Sequence, residues 1–209
     1  MEHKVVILTP SCRNPSWYYT NSLLALMLHT REYGISGQKA AVYHYVMPKC
    51  SCLPGGRQWL LNAAIAQAKE GNLTHAIFID DDMQFDTDIL DYLVRDGKCV
   101  CANVLRKEEG ELRTPNTVKN GKLLDSSVAV GMEEIYSTGL AMFCMDLKEV
   151  MKTKAPHFVQ PYDPTTETYL GEDVAFTSKL RAAGVKLYCS HEASRKVGHL
   201  GERMYKYGT

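Results

Sequence analysis

The chain has 209 residues, 45% hydrophobic and 23% charged, with Lys+Arg and Asp+Glu both at 24. That length suits one sizeable core rather than two, and the charge balance gives no basic surplus of the kind that marks nucleic-acid binders. No apolar run reaches the length of a membrane span, and Met1-Glu2-His3-Lys4 ahead of a strand-length run lacks the features of a signal peptide. The seven cysteines are an odd number and mostly sit in apolar segments such as Cys99-Val100-Cys101 and Phe143-Cys144. Without a secretory signal they read as reduced thiols of a cytoplasmic protein. Cys50-Ser51-Cys52 lacks the two-residue spacing of a zinc knuckle.

Strand and helix patterns then alternate. Lys4-Val5-Val6-Ile7-Leu8-Thr9-Pro10 reads as a buried strand stopped by Thr-Pro. After Ser11-Cys12-Arg13-Asn14, a helix opens at Pro15 or Ser16, runs through Leu23, Leu24, Leu26, Met27 and Leu28, and stops at Gly34. Residues 40–46 give a second strand. Pro54-Gly55-Gly56 reads as a turn, followed by a helix over about residues 57–70, with Trp59 toward the core and a Gly71-Asn72 stop. The strand that follows completes a βαβαβ order, which predicts a parallel sheet with right-handed crossovers. A short helix capped by Asp86 or Thr87 leads to a strand at 98–104, and residues 108–124 are polar with an Asn120-Gly121 hairpin signal. A strand at 140–145, a helix capped by Asp146, and a loop at 156–171 able to close over a ligand come next. Glu172 and Asp173 open a helix to Ala183, and residues 185–189 form the last strand. The expected fold is a single-domain, Rossmann-like α/β protein with a mostly parallel central sheet flanked by helices.

The stretch Ala76-Ile77-Phe78-Ile79-Asp80-Asp81-Asp82 runs an apolar strand straight into three carboxylates. Acids at the carboxyl end of such a strand lie where open α/β sheets bind ligands. On an extended strand Asp80 and Asp82 share a face and Asp81 points away. Two hard oxygen ligands there suit Mg²⁺ or Mn²⁺, which bridge to substrate phosphates. The plainer alternative is an acidic turn before the next helix, although adjacent acids repel without a cation.

Three motifs in this order resemble the nucleotide-sugar glycosyltransferases of the A-type fold, of the family-2-like compact form found in bacteriophages and bacterial polysaccharide clusters. Asp80-Asp81-Asp82-Met83 resembles the Asp-x-Asp motif. Ser137-Thr138-Gly139-Leu140-Ala141-Met142-Phe143 resembles the small-residue strand start beneath the donor sugar and part of the acceptor site, and Gly171-Glu172-Asp173 the Glu-Asp motif. Gly198-His199-Leu200-Gly201 is similar to the trailing His that supplies a metal ligand. The resemblance implies a catalytic domain over residues 1–209, with a nucleotide-binding half at 1–105 and an acceptor half with a tail at 106–209. It implies that Asp82 and His199 hold Mn²⁺ or Mg²⁺, with Asp80 sharing the metal or touching the ribose and Asp81 beside it. Thr9, Pro10 and Arg13 would line the base and ribose pocket, Arg57 would be a further donor-site cation, and Gly139 would lie at the sugar. Asp173 would be the general base that takes the acceptor proton, a carboxylate favoured at a helix N-terminus. Glu172 would hold an acceptor hydroxyl.

The donor would be a nucleotide-diphosphate sugar, UDP-linked by preference, and the transfer one with inversion. The acceptor stays open between a glycan and a hydroxylated base in phage DNA. Lys107, Arg113, Lys119 and Lys122 offer a local basic groove for the second. Two rival readings keep the fold: a nucleotidyltransferase, although Ser11-Cys12-Arg13-Asn14-Pro15 lacks the Gly-rich loop of that class, and a non-catalytic nucleotide-sugar-binding module. His191 reads equally as a surface residue or a ligand. The run Arg203, Tyr205, Lys206, Tyr207 reads as a pyrophosphate clamp or a frayed tail.

Overall fold

The computed structural model describes residues 2–12, 14–107 and 115–208. Arg13, expected at the base and ribose pocket, and Arg113, expected in the basic groove, lie outside them. Strand and helix alternate through the first half: β1 (His3–Pro10), α1 (Trp17–Tyr33), β2 (Ala40–Met47), α2 (Leu53–Lys69), β3 (His75–Ile79), β4 (Met83–Phe85), α3 (Leu90–Leu93) and β5 (Cys99–Ala102). The second half begins with short strands, β6 (Thr117–Lys119), β7 (Lys122–Leu123), β8 (Met132–Ile135) and β9 (Ser137–Thr138), then β10 (Met142–Asp146) and α4 (Leu147–Val150). It closes with β11 (Tyr162–Asp163), β12 (Thr168–Tyr169), α5 (Glu172–Ala182), β13 (Leu187–Ser190), α6 (His191–Arg195), β14 (Val197–Leu200) and β15 (Met204–Tyr205).

Seven strands form the central sheet in the order β2-β1-β3-β10-β5-β13-β8. β1 pairs in parallel with β2 and β3, and β5 with β13, while β10 runs antiparallel between β3 and β5 and β8 closes one edge antiparallel. The expected Rossmann-like layering is present, with one strand reversed at its centre. Alternation along each strand explains the two cores. Val6, Leu8, Ala76, Phe78, Phe143 and Met145 pack on one face with α2, α4 and α5. Val5, Ile7, Ile77, Ile79, Met142 and Cys144 pack on the other with α1, α3 and α6. Burying a large apolar side chain contributes about 1.5–3 kcal/mol, so two filled faces suffice to order the sheet.

Local chemistry sets most element ends. Ser16 caps α1 by accepting the Tyr19 N–H at 3.1 Å, and Asp146 caps α4 through the Lys148 N–H at 2.8 Å. The expected turn at Pro54-Gly55-Gly56 is instead the first turn of α2, because Pro fits the start of a helix. Gly34 ends α1 at φ 76°, and a Cβ there would lie 2.0 Å from the Gln38 carbonyl oxygen. Gly34→Ala should therefore cost about 1–3 kcal/mol of stability in urea unfolding. Asn120 and Gly121 both take positive φ, 48° and 75°, and join β6 to β7 as the sequence indicates.

Several sequence expectations fail on packing. Trp59 is exposed rather than core-facing. His191 is buried, its Nδ1 2.9 Å from Ser126 Oγ. The tail is packed: β15 pairs with β14, and the Tyr207 hydroxyl accepts from Asn103 Nδ2 at 2.7 Å. Among the described residues no helix is long and apolar enough to cross a membrane.

Candidate active site

β3 ends at Ile79, and the chain turns at once, with the Met83 N–H donating to the Asp80 carbonyl at 3.2 Å. The strand alternation expected to put Asp80 and Asp82 on one face therefore does not apply. The three carboxylates diverge. Both oxygens of Asp80 accept from Arg57 Nη2, at 3.0 and 3.1 Å. Asp81 is buried and accepts from the Ser11 hydroxyl at 2.6 Å. Asp82 meets Lys107 Nζ through Oδ2 and lies 3.5 Å from His199 Nε2 through Oδ1.

Backbone pairing brings His199 there. β14 pairs antiparallel with β4, placing His199 across from Met83, and the Leu200 N–H donates to the Asp82 carbonyl at 2.8 Å. His199 is thus fixed on a strand rather than carried on a loose Gly-flanked arm. Its Nδ1 lies 2.9 Å from the Leu105 carbonyl, which can only accept, so Nδ1 bears the proton. Nε2 then faces Asp82 Oδ1, and a lone pair beside an anion needs a cation between them or a second ring proton. This donor set fits a divalent metal, oriented in the usual way by a carbonyl behind the ring. Asp80, held on both oxygens by Arg57, is not brought to this pair. Burial pushes the Asp82 carboxyl up, but His199 and Lys107 outweigh that and hold it down at about 2.

The sign of that shift fixes a pH dependence. A depressed carboxylate stabilises the fold above its ordinary value of 3.8 and loses that effect as pH falls through about 2. The stability gap between the native chain and Asp82→Asn, measured by chemical unfolding without added metal, should narrow as pH falls between those values.

Arg57 links the two halves of the site. It is 3% exposed, on α2, and its Nη1 donates to Glu172 Oε1 at 2.6 Å while Nη2 holds Asp80. The expected donor-site cation is therefore enclosed between two acids of the protein, and Glu172, expected to hold an acceptor, is held by Arg57. The two acids hold the Arg57 guanidinium firmly protonated against the opposing effect of burial. The packing at Gly56 sets how closely α2 approaches, since a Cβ there would lie 2.3 Å from Cys50 Sγ. Next along α5, Asp173 is half-buried, and a Cβ on Gly139 would sit 3.8 Å from its Oδ2. Gly139 reaches this place because β10 runs opposite to β3, so its leading residues meet the acid end, with the Asp80 N–H donating to the Ala141 carbonyl at 3.1 Å.

At the other end of the crevice Thr9 and Pro10 are buried. The Thr9 hydroxyl is 2.5 Å from Tyr19 Oη and 3.1 Å from His44 Nε2. Thr9 is thus tied to α1 and β2 within the fold. Burial pushes the Tyr19 hydroxyl well up and the His44 ring down, so both stay neutral at ordinary pH. This triangle was not legible in the sequence, since a Tyr inside a helix and a His inside a strand carry no local mark. Of the basic groove, Lys119 pairs with Glu133, Lys107 with Asp82, and Lys122 is exposed. A separate groove of about 760 Å³ lies between α1 and β2, floored by Leu24, Met27 and Val42, away from these acids.

Fold and site together define a Rossmann-like α/β protein with a cluster of acids and bases beyond the strand ends. No protein-family model matches the chain, and no curated protein matches it. Its fold is similar to the crystal structure of A197 from STIV, at TM-score 0.63 and 14% identity, over 99% of this chain and 95% of that one. At that identity the likeness is one of fold. A looser match, at TM-score 0.43 and 14% identity, covers 90% of this chain and 36% of S. aureus TarS.

Proposed function

We propose that the chain is a metal-dependent glycosyltransferase that moves a sugar from a nucleotide-diphosphate sugar, UDP-linked by preference, to a hydroxyl acceptor with inversion. The observation that supports this most is the approach of Asp82 Oδ1 to His199 Nε2 beyond the strand ends, at 3.5 Å, a pair suited to a shared cation. Asp82 and His199 would hold Mn²⁺ or Mg²⁺, which when bound supplies positive charge against the departing diphosphate. Lys107, on the same carboxylate, is the side chain placed to take a phosphate oxygen. Asp80 and Asp81 are fixed by Arg57 and Ser11 and shape the ribose side, with Thr9 and Pro10 beneath the nucleotide.

Asp173 accepts the proton of the acceptor hydroxyl as its oxygen attacks the anomeric carbon. The nucleoside diphosphate leaves from the opposite face, so one displacement inverts the centre. Gly139 leaves Asp173 Oδ2 accessible, and Glu172 orients the first turn of α5 through Arg57. Since Lys119 already pairs with Glu133 and Lys107 is assigned to the donor phosphate, a glycan suits the acceptor place better than DNA. Weak, salt-insensitive binding to duplex DNA is the expected result.

The test is release of nucleoside diphosphate from a panel of UDP-, GDP- and TDP-sugars with and without Mn²⁺, with the product anomer assigned by NMR. Asp173→Asn should lower kcat by about 10²–10⁴ with donor affinity kept. Transfer that ignores chelation would remove the metal role, and a retained anomeric configuration would remove Asp173 as base.

A further inference from the structure

At the opposite end of the sheet from the acids, a second group of side chains converges. His3 opens β1, His75 opens β3, and Asp96 lies in the tight turn before β5. One ligand atom from each lies within 4.8 Å of the others, with Asp96 Oδ1 3.8 Å from His75 Nε2 and 4.0 Å from His3 Nδ1. The two rings meet edge to face at 5.6 Å between centroids. The β1–β3 register sets Val5 against His75, so His3, two residues before Val5, lies on the same face of the sheet. None of these residues touches the Asp82–His199 pair, and the proposed transfer does not use them.

We propose that His3, His75 and Asp96 form a binding site for a divalent transition metal of the zinc type, a structural tie between the starts of β1 and β3 and the turn leading into β5. Two imidazoles and one carboxylate suit Zn²⁺, Co²⁺ or Ni²⁺ better than Mg²⁺ or Ca²⁺, which prefer oxygen alone. The buried ring already has its supporting hydrogen bonds. His75 Nδ1 is 3.0 Å from the Thr74 hydroxyl, and Nε2 is 3.2 Å from the Arg95 carbonyl. A carbonyl only accepts, so Nε2 carries the ring proton in the metal-free chain, and the Thr74 hydroxyl donates to Nδ1.

On metal binding the proton moves to Nδ1, and no net proton is lost. Thr74 Oγ1 then accepts from Nδ1 and turns its own hydrogen to the Lys4 carbonyl, 3.1 Å away. The Arg95 carbonyl, relieved of its donor, would be available as a fourth ligand. Ligands about 2.0–2.1 Å from a tetrahedral ion lie about 3.4 Å apart, a shift of about 0.5 Å for Asp96. Its side chain is 77% exposed, and its turn is anchored by the Gly97 N–H donating to Asp146 Oδ2 at 2.7 Å.

The experiment titrates chelator-treated protein carrying Asp82→Asn, which removes the other cation pair, with Zn²⁺ and with Co²⁺. Expected are one equivalent bound per chain, a rise in Tm, and visible ligand-field absorption with Co²⁺. His3→Ala and Asp96→Ala, neither of which opens the core, should each weaken binding tenfold or more and remove the Co²⁺ absorption. Absence of the one-equivalent binding, or binding equal in both variants to that of their parent, would overturn the site. Because Asp82 is already changed, failure here says nothing for or against sugar transfer.

Discussion

Asp82→Asn is expected to lower kcat/KM for sugar transfer by about two to three orders of magnitude while leaving the fold intact. The substitution keeps the side chain's shape and removes its charge. Lys107 and His199 both converge on that carboxylate, so its loss removes the anion that gathers the positive charge meant for the leaving diphosphate. Mn²⁺ affinity should fall with activity, and saturating Mn²⁺ should restore little of it, because the charge on the ligand has gone rather than merely been diluted. Comparing kcat and KM at several Mn²⁺ concentrations, with far-UV circular dichroism as a folding control, reads the result. An Asp82→Asn enzyme with near-native kcat would end the proposal that this pair carries the metal.

Arg57→Met should destabilise the chain by about 3–5 kcal/mol, measured by urea unfolding at neutral pH. The guanidinium sits between Asp80 and Glu172 with its side chain 4% exposed. Removing it leaves two carboxylates facing each other without their common partner, and that uncompensated charge, rather than the lost attraction alone, sets the size of the effect. Arg57→Lys should recover only part of the loss, since one ammonium cannot reproduce a fork that reaches two acids at once. A loss under about 1 kcal/mol would mean that water or a neighbouring cation already compensates the acids.

Much of the layering was legible because the relevant signals are local. Val5 to Leu8 and Ala76 to Ile79 mark buried strands, Ser16 and Asp146 mark helix starts, and Asn120-Gly121 marks a hairpin. The site was legible as a set of residue types, and less so as a set of partners. Nothing in the order of residues says that Arg57 is enclosed by Asp80 and Glu172, because that contact joins positions 115 apart on one side. The same holds for Ser11 with Asp81. The assumption that strand geometry continues through Asp80 to Asp82 failed because the Met83 N–H closes a turn on the Asp80 carbonyl, and β4 then pairs with β14. Long-range pairing decided where each carboxylate points.

The antiparallel strand at the centre of the sheet bears on how the protein can be divided. β3 and β5 belong to residues 1–105, yet β10 separates them and hydrogen-bonds to both. A fragment ending near residue 105 would keep two strands with no ladder joining them and an Asp80–Arg57 pair lacking Glu172. The halves are interleaved like the fingers of two hands, so a cut near residue 105 should strip β5 of both its partners, β10 and β13. Assembly must wait until the chain beyond residue 140 has emerged, a long closure that favours slow folding.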